Sequence, residues 1–332
     1  MDPDPERYRR VRDRESCGDL THGYILLFTK LIQFGREDGT YPVRIFCINS
    51  FEGVTAIWCK LNTYEILRMS EYSRENLTLL KEGVERTYKG CDGYAPMFAY
   101  IGQEGYCLNV EMRKGSVHCQ NGTPDFIRKT LQSAKKLTDK PLLFRLDSGN
   151  DSRDNIVIFL ENETNFIIKR NPRKEKAEDW LEIAQKHGMC CEEQEGKKVY
   201  LGHPTTIEVN GRQRTIRKVF KVIERTISRD GQIFLIPAYE FETYWTTLNV
   251  PSNVIISLYH DHGTCEQFHS EIKSELDLER LPSGKYETNG LILHFGVFAY
   301  NLFRMIVQES LKEQDAPLKK KAARRRIRTV IQ

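Results

Sequence analysis

No stretch of the 332 residues offers the ~20 uninterrupted apolar side chains that a membrane span requires. The two most apolar segments, residues 24–34 and 291–307, are interrupted by Lys30 and Gln33 and by His294, Asn301 and Arg304. A secretory leader is also lacking, because residues 1–14 are rich in Asp, Arg and Pro and carry no apolar core. The nine cysteines (17, 47, 59, 91, 107, 119, 190, 191 and 265) form no C-x-x-C pair and are irregularly spaced. That pattern argues against a zinc site or a disulfide framework, and for reduced, mostly buried thiols in a cytoplasmic protein. No internal repeat recurs, and no Asp occurs between Asp38 and Asp92.

What is present fits a folded chain. Charged residues make up 29%, hydrophobic residues 39% and aromatics 10%, and the length suits one large domain or two ordinary ones. The formal net charge of +4 conceals an uneven distribution. Seven cations and no acid lie between Lys319 and Arg328, which leaves the rest of the chain at −3. Residues 312–332 therefore read as a basic tail, either a contact for nucleic acid or another polyanion, or a solvated arm.

From Lys81 onward the pattern is orderly. Residues 94–101 and 106–112 are strand-like and flank Gly-Gln-Glu-Gly, a hairpin signal. Thr123-Pro124 opens a helix with Thr123 as its expected N-cap. A short apolar run then ends at Asp147-Ser-Gly, followed by a helix at 153–161 and a strand at 165–170. Hairpin, helix, strand, helix, strand is an α/β order with antiparallel strands leading. Residues 171–250 change character. A helix at 174–186 precedes alternating segments at 198–201, 205–209, 215–223 and 232–237, with Asn210-Gly211 and Asp230-Gly231 as hairpin turns. One helix is expected from about 259 to 278. Another is expected over 288–310, its stripe of Leu291, Phe295, Phe298, Leu302, Met305 and Ile306 packing in the core.

Two features carry chemistry. Asp147 closes an apolar strand, and in open α/β sheets ligands gather beyond strand ends; strand-end Asp residues also simply cap turns. The second is the spacing Tyr259-x2-His262-x3-Glu266-x6-Lys273. At ~100° per residue these four polar groups share an arc of about 60° on one helix. An ordinary surface helix laced with ion pairs is the competing reading, and Gly263 offers a different helix start.

The spacing Y-x2-H-x3-E-x6-K, within YHDHGTCEQFHSEIKSELDLERLPSGK, resembles the YREK signature of bacterial insertion-sequence DDE transposases, with His262 in place of the usual Arg. LLFRLDSGNDS and KEGVERTYKGCDGYAPMFAYIG resemble preceding blocks of the same family, so that the likeness runs from Lys81 to Gln332. The resemblance implies an α/β fold: an RNase H-like mixed sheet flanked by helices, with a β-rich insertion before the last catalytic helix. Residues 77–170 and 251–311 would form the core, 171–250 the insertion, and 1–76 a poorly assigned N-terminal region. The implied activity is cleavage and strand transfer of transposon-end DNA by phosphoryl transfer with two Mg²⁺ or Mn²⁺ ions. Asp147 and Glu266 would be the second and third acidic ligands. Tyr259, His262 and Lys273 would grip phosphates, with Lys169 and Arg170 as further contacts. Trp245 would either stack on a displaced base or pack the insertion against the core. The partners implied are double-stranded DNA, at inverted-repeat ends and target, and a second copy in a homodimeric synaptic complex. No membrane partner is implied, and the location would be the cytoplasm, at the nucleoid.

The likeness fails at one point. The family places its first catalytic Asp on a leading strand shortly before Lys81, where residues 66–80 contain only Glu71 and Glu75 as acids; Asp92 lies beyond it in a Gly-flanked turn. The chain therefore reads as N-terminally degenerate and C-terminally truncated, its last residues resembling the start of another strand. Its alternative role is a non-catalytic DNA-binding remnant or a repurposed transposase domain.

Overall fold

The computed structural model describes residues 55–61, 64–65, 81–208, 215–228, 230–260, 263–311 and 326–331. The elements run β1 (Thr55–Leu61), β2 (Tyr64–Glu65), β3 (Glu85–Arg86), β4 (Asp92–Tyr94), β5 (Met97–Ile101), β6 (Tyr106–Glu111) and α1 (Thr123–Leu137). Next come β7 (Leu142–Leu146), α2 (Arg153–Glu161), β8 (Asn165–Lys169), α3 (Ala177–His187), β9 (Gly188–Gln194), β10 (Lys197–Glu208), β11 (Thr215–Ile227) and β12 (Ile233–Thr246). Last are α4 (Ser252–His260), α5 (Gly263–Ser270), a π-helical turn (Glu271–Glu275), α6 (Tyr286–Ser310) and α7 (Arg328–Ile331).

One nine-stranded sheet, in the order β6-β5-β1-β7-β8-β12-β11-β10-β9, organises the chain. β5 and β6 form the expected hairpin, its turn carried by Gly102 and Gly105 at φ +73° and +76°. β1 pairs antiparallel with β5 and parallel with β7, and β7 pairs parallel with β8. An antiparallel meander followed by parallel strands, flanked by helices, is the RNase H-like arrangement. Its central strand comes from Thr55–Leu61, so the core sheet reaches into a region that sequence reading left unassigned.

The period-2 alternation of β5 divides its side chains between two cores. Met97, Ala99 and Ile101 face α1 and α2, through Phe126, Ile127, Leu131, Ile158 and Phe159. Phe98 and Tyr100 face the other layer, where α4, α5 and α6 contribute Ile255, Tyr259, Phe268, Val297 and Tyr300. The insertion is not a separate body: β12 pairs antiparallel with β8 and continues the core sheet. A small core of Trp180, Ala184, Phe220 and Val222 binds α3 onto it.

Several expectations are corrected. Residues 198–201 and 205–208 belong to one strand, β10, with a register shift between Gly202 and Thr205; Val209 lies outside the described residues. Asn210-Gly211 lies outside the described residues. Gly122, at φ +74°, caps α1; Thr123 is buried instead, and its hydroxyl accepts from Arg113 Nη1 at 3.2 Å. The helix expected from about 259 to 278 is α-helical over Gly263–Ser270 and becomes a π turn at Glu271–Glu275; residues 261–262 lie outside the described residues. On α6 the apolar stripe is largely exposed: Leu291, Phe295, Leu302 and Ile306 lie outward, while Leu293, Val297, Tyr300, Asn301, Arg304 and Val307 are buried. The buried face is chosen by polar partners. Asn301 brackets Cys107, accepting from its N–H and donating to its carbonyl at 2.8 Å each, and Arg304 pairs with Glu271 and donates to the Tyr300 hydroxyl. α6 is long and apolar enough to cross a membrane by length and composition, yet these buried polar groups bind it to protein. Residues 328–331 form a short helix where a strand was expected. Of the described cysteines only Cys107 is fully buried, and Cys190 and Cys191 are exposed.

A Cβ on Gly105 would run into the Phe268 ring of α5, and its backbone is left-handed as well. Gly105→Ala is expected to destabilise the protein by about 2–4 kcal/mol, because overpacking and a positive φ add. Urea unfolding checks this, and a shift within 0.5 kcal/mol of zero contradicts the packing described.

Candidate functional site

The ends of β7 and β8 lie at one edge of the sheet because the two strands are parallel. Asp147 follows β7 there and starts the short 3₁₀ turn Ser148–Asn150. Its carboxylate accepts from Asn150 Nδ2 at 2.8 Å and its carbonyl from the Asn150 N–H at 3.1 Å. Asn150 is fully buried, and its own carbonyl accepts from Asn155 Nδ2 at 2.9 Å. The turn is thereby anchored to α2, a rigid platform for one carboxylate. Cys119 donates to the Gly149 carbonyl at 2.8 Å, and burial first, then the Asp147 charge, hold its thiol above the usual range.

The opposite wall comes from α4. Arg145 on β7 donates to the Leu258 carbonyl at 2.7 Å, which holds the end of α4 over the sheet. Tyr259 is buried there, its ring 4.8 Å from that of Tyr244. Burial raises the Tyr259 phenol, and the nearby charges of Asp147 and Glu242 push in the same direction. Tyr259 therefore stays neutral and keeps a hydroxyl proton to donate.

Glu242 is the residue that sequence reading passed over. It lies on β12 and accepts from Lys169 Nζ at 2.7 Å and from the Tyr244 hydroxyl at 2.9 Å, with His260 Nε2 at 3.3 Å. Burial pushes its carboxyl up, but Lys169, Tyr244 and His260 outweigh that and leave it below the usual carboxylate range. The only signal in the sequence was the alternation of Tyr239–Trp245, which does not say which strand β12 would join.

Asp147, Tyr259 and Lys169 thus share one edge. Glu266 is exposed on α5, and Lys273 lies on the π turn, 3.3 Å from Glu279. The equal 100° steps from Glu266 do not reach Lys273, because the π turn changes the rotation per residue; residues 261–262, between α4 and α5, lie outside the described residues. His262 is outside the described residues, as are Glu71 and Glu75. Asp92 lies on β4 in the separate three-stranded sheet, paired with Arg86 at 3.4 Å.

Arg170 and Trp245 occupy the other face of the sheet, since they follow Lys169 and Tyr244 by one residue. The Arg170 guanidinium stacks 5.0 Å from the Trp245 ring and forms a two-pronged pair with Glu175 at 2.7 and 3.1 Å. Lys218 lies 5.4 Å from the same ring. A cleft of about 910 Å³ opens beside them, lined also by Asp151, Arg153, Arg173 and Lys174. The far end of the basic segment is docked: Arg326 pairs with Glu275 at 2.9 Å and Ile327 is buried.

A family model described as "Transposase DDE domain group 1" matches residues 81–330. The chain belongs to that family. No curated protein matches it. Among solved structures this DDE-family chain is similar to a piggyBac transposase in a synaptic complex with hairpin DNA. That similarity has a TM-score of 0.37 at 8% identity and covers 77% of this chain. The chain spans about half the length of that structure, 47%.

Lys169→Met is expected to cost about 1 kcal/mol of stability near neutral pH, since it strips a half-buried carboxylate of its closest cation. Glu242 is depressed, so its stabilisation is present above the unfolded carboxylate value of ~4.3 and fades as pH falls through the folded one. The difference between variant and wild type should therefore shrink between pH 6 and pH 3.5. Urea midpoints at the two pH values test it; an equal difference at both would remove Glu242 from the account.

Proposed function

We propose that this chain is a DNA-handling domain of a transposase, directed at transposon-end DNA, in which strand cleavage is lost or severely reduced. The match to the DDE domain over residues 81–330 is the observation that carries the DNA-directed reading. Tyr259, Lys273, Lys169 and Arg170 supply donors and cations for phosphates, with His262 from the motif, and the basic segment at 319–328 adds sequence-independent attraction. Trp245 sits at the cleft, but its ring is engaged by Arg170 and Lys218, so its role is to join insertion and core. Double-stranded DNA and a second copy of the chain are the partners in this reading, without a membrane, at the nucleoid.

Phosphoryl transfer in such enzymes uses two divalent ions to act on the attacking and leaving oxygens. Hard ions such as Mg²⁺ or Mn²⁺ need several oxygen ligands held together. Asp147 and Glu266 are two such groups, and among the described residues no three His, Cys, Asp or Glu side chains gather into a metal-binding group. Asp92 is engaged with Arg86 on another sheet. The lack of any Asp between Asp38 and Asp92, where the family places its first acid, is what favours the second reading, a DNA-binding domain without catalysis, over a working nuclease.

Incubating the purified protein with transposon-end DNA and Mg²⁺ or Mn²⁺ is expected to give binding without strand cleavage, unchanged by Asp147→Ala. Cleavage that Asp147→Ala abolishes would overturn the loss of activity. Absence of any DNA binding at low salt would overturn the function itself.

A further inference from the structure

The ribbon formed by β10, β11 and β12 carries an apolar knob near one end and a cleft at the other. At the knob, Ile227 pairs with Ile233 and Arg225 with Ala238, so residues 234–237 of β12 lie opposite Thr226 alone and the strand bulges out of the ladder. Pro237, in that bulge, has no N–H to give back to it. Leu235 is 100% exposed, and Ile233 and Ile236 are each 77% exposed. Neighbouring aliphatic side chains left in water mark an interaction surface. Acid surrounds them. Lys197, Lys198 and Arg225 are already paired with Glu192, Glu193 and Glu240. Asp230 and Glu195, on turns joined by the bonds from the Thr226 and Ile227 N–H groups to the Gly196 carbonyl, are exposed and in no ion pair among the described residues; Arg229 lies outside them. Such a knob is ill suited to DNA phosphates.

The cleft of about 910 Å³ has the opposite character. Its apolar lining comes from Ile156, Val157 and Leu160 of α2, Ile207 of β10 and Ile216 of β11. Its cations Arg153, Arg173 and Lys174 are exposed, and among the described residues no acid pairs with them. Of the acids there, Glu175 is taken by Arg170 and Asp151 accepts from the Asn171 N–H at 3.0 Å, which leaves Asp179. The Asn171 side chain accepts from the Arg173 N–H at 3.0 Å and holds Arg173 in the left-handed region at φ +52°, so these cations sit on a fixed turn.

We propose that the knob of one copy of this chain seats in the cleft of a second copy, and the reverse, closing a two-fold dimer. Aliphatic side chains then meet an aliphatic lining, and Asp230 and Glu195 meet Arg153, Arg173 and Lys174. Knob against knob would instead set acid against acid. Leu235 and Trp245, a residue of the cleft, are separated along β12 by roughly 30 Å at ~3.3 Å per residue. Two ribbons lying antiparallel therefore make both contacts through one two-fold axis, whereas a single knob-in-cleft contact would leave an open chain. The inference deepens the second-copy partner of the proposed function, but it requires no DNA, so the two fail separately.

Sedimentation equilibrium of the full chain without DNA tests the interface. Wild type should form a dimer with a dissociation constant in the micromolar range. Leu235→Ser/Ile236→Ser and Arg173→Glu/Lys174→Glu should each weaken association by at least about tenfold. A mixture of the two should associate more tightly than either alone, because the intact knob of one fits the intact cleft of the other. A monomeric wild type overturns the proposal, as does a dimer that either double variant leaves intact, or a mixture no tighter than its components. If a double variant is unfolded by circular dichroism, Leu235→Ser and Lys174→Glu, singly and mixed, take its place. Duplex binding is read separately by fluorescence anisotropy. A monomer that binds duplex overturns this interface and leaves the DNA-binding reading standing, whereas a dimer that binds none supports the interface and overturns that reading.

Discussion

Parallel pairing of β7 with β1 on one side and β8 on the other is the constraint on which the molecule depends. Parallel strands cannot be joined by a tight turn, so each connection must leave the sheet as a crossover and return. α1 and α2 fill that need on one face, and their apolar sides close one core. The same pairing brings the ends of β7 and β8 to one edge, where loops leave room above the sheet. Asp147 is at that edge because β7 ends there.

The other face is set by polar anchors in an apolar layer. Arg304 and Glu271 are both without solvent exposure and pair directly, with the guanidinium also 5.0 Å from the Phe268 ring. Burial raises the Glu271 carboxyl, and Arg304 works against that shift. Removing one member of such a pair leaves a buried charge uncompensated, so the pair ties the π turn to α6 firmly. The π turn is where the helix that carries Glu266 meets this anchor, and a π turn inside a helix commonly marks a functional constraint. Arg145 does the same for α4 by gripping the Leu258 carbonyl. Two polar tethers thus act on this layer, Arg145 at the end of α4 and Arg304–Glu271 at the π turn.

Much of this was legible in the sequence. Gly102 and Gly105 announced the β5–β6 hairpin, and Asp147 at the end of an apolar run was found at the end of β7. The α2 helix and β8 fell where alternation and helical spacing placed them. The failures have physical causes. A helical stripe of Leu291, Phe295, Leu302 and Ile306 looked like core, but buried hydrogen bonds from Asn301 and Arg304 turned the other face inward. The four-residue motif arc assumed uniform α-helical rotation, and local spacing cannot reveal a π turn. Glu242 was invisible because its partners Lys169 and His260 come from other elements. The place of Thr55–Leu61 between β5 and β7 is non-local information that arises only from pairing with those strands.

The carboxylate edge requires β1 to lie between β5 and β7 in this register. Central strands open only with global unfolding, whereas an unpaired segment exchanges its amides freely. Hydrogen–deuterium exchange of residues 55–61 is the direct measurement. The account predicts protection equal to that of β5 and β7, lost only with global unfolding; exchange as fast as that of an exposed loop would contradict it.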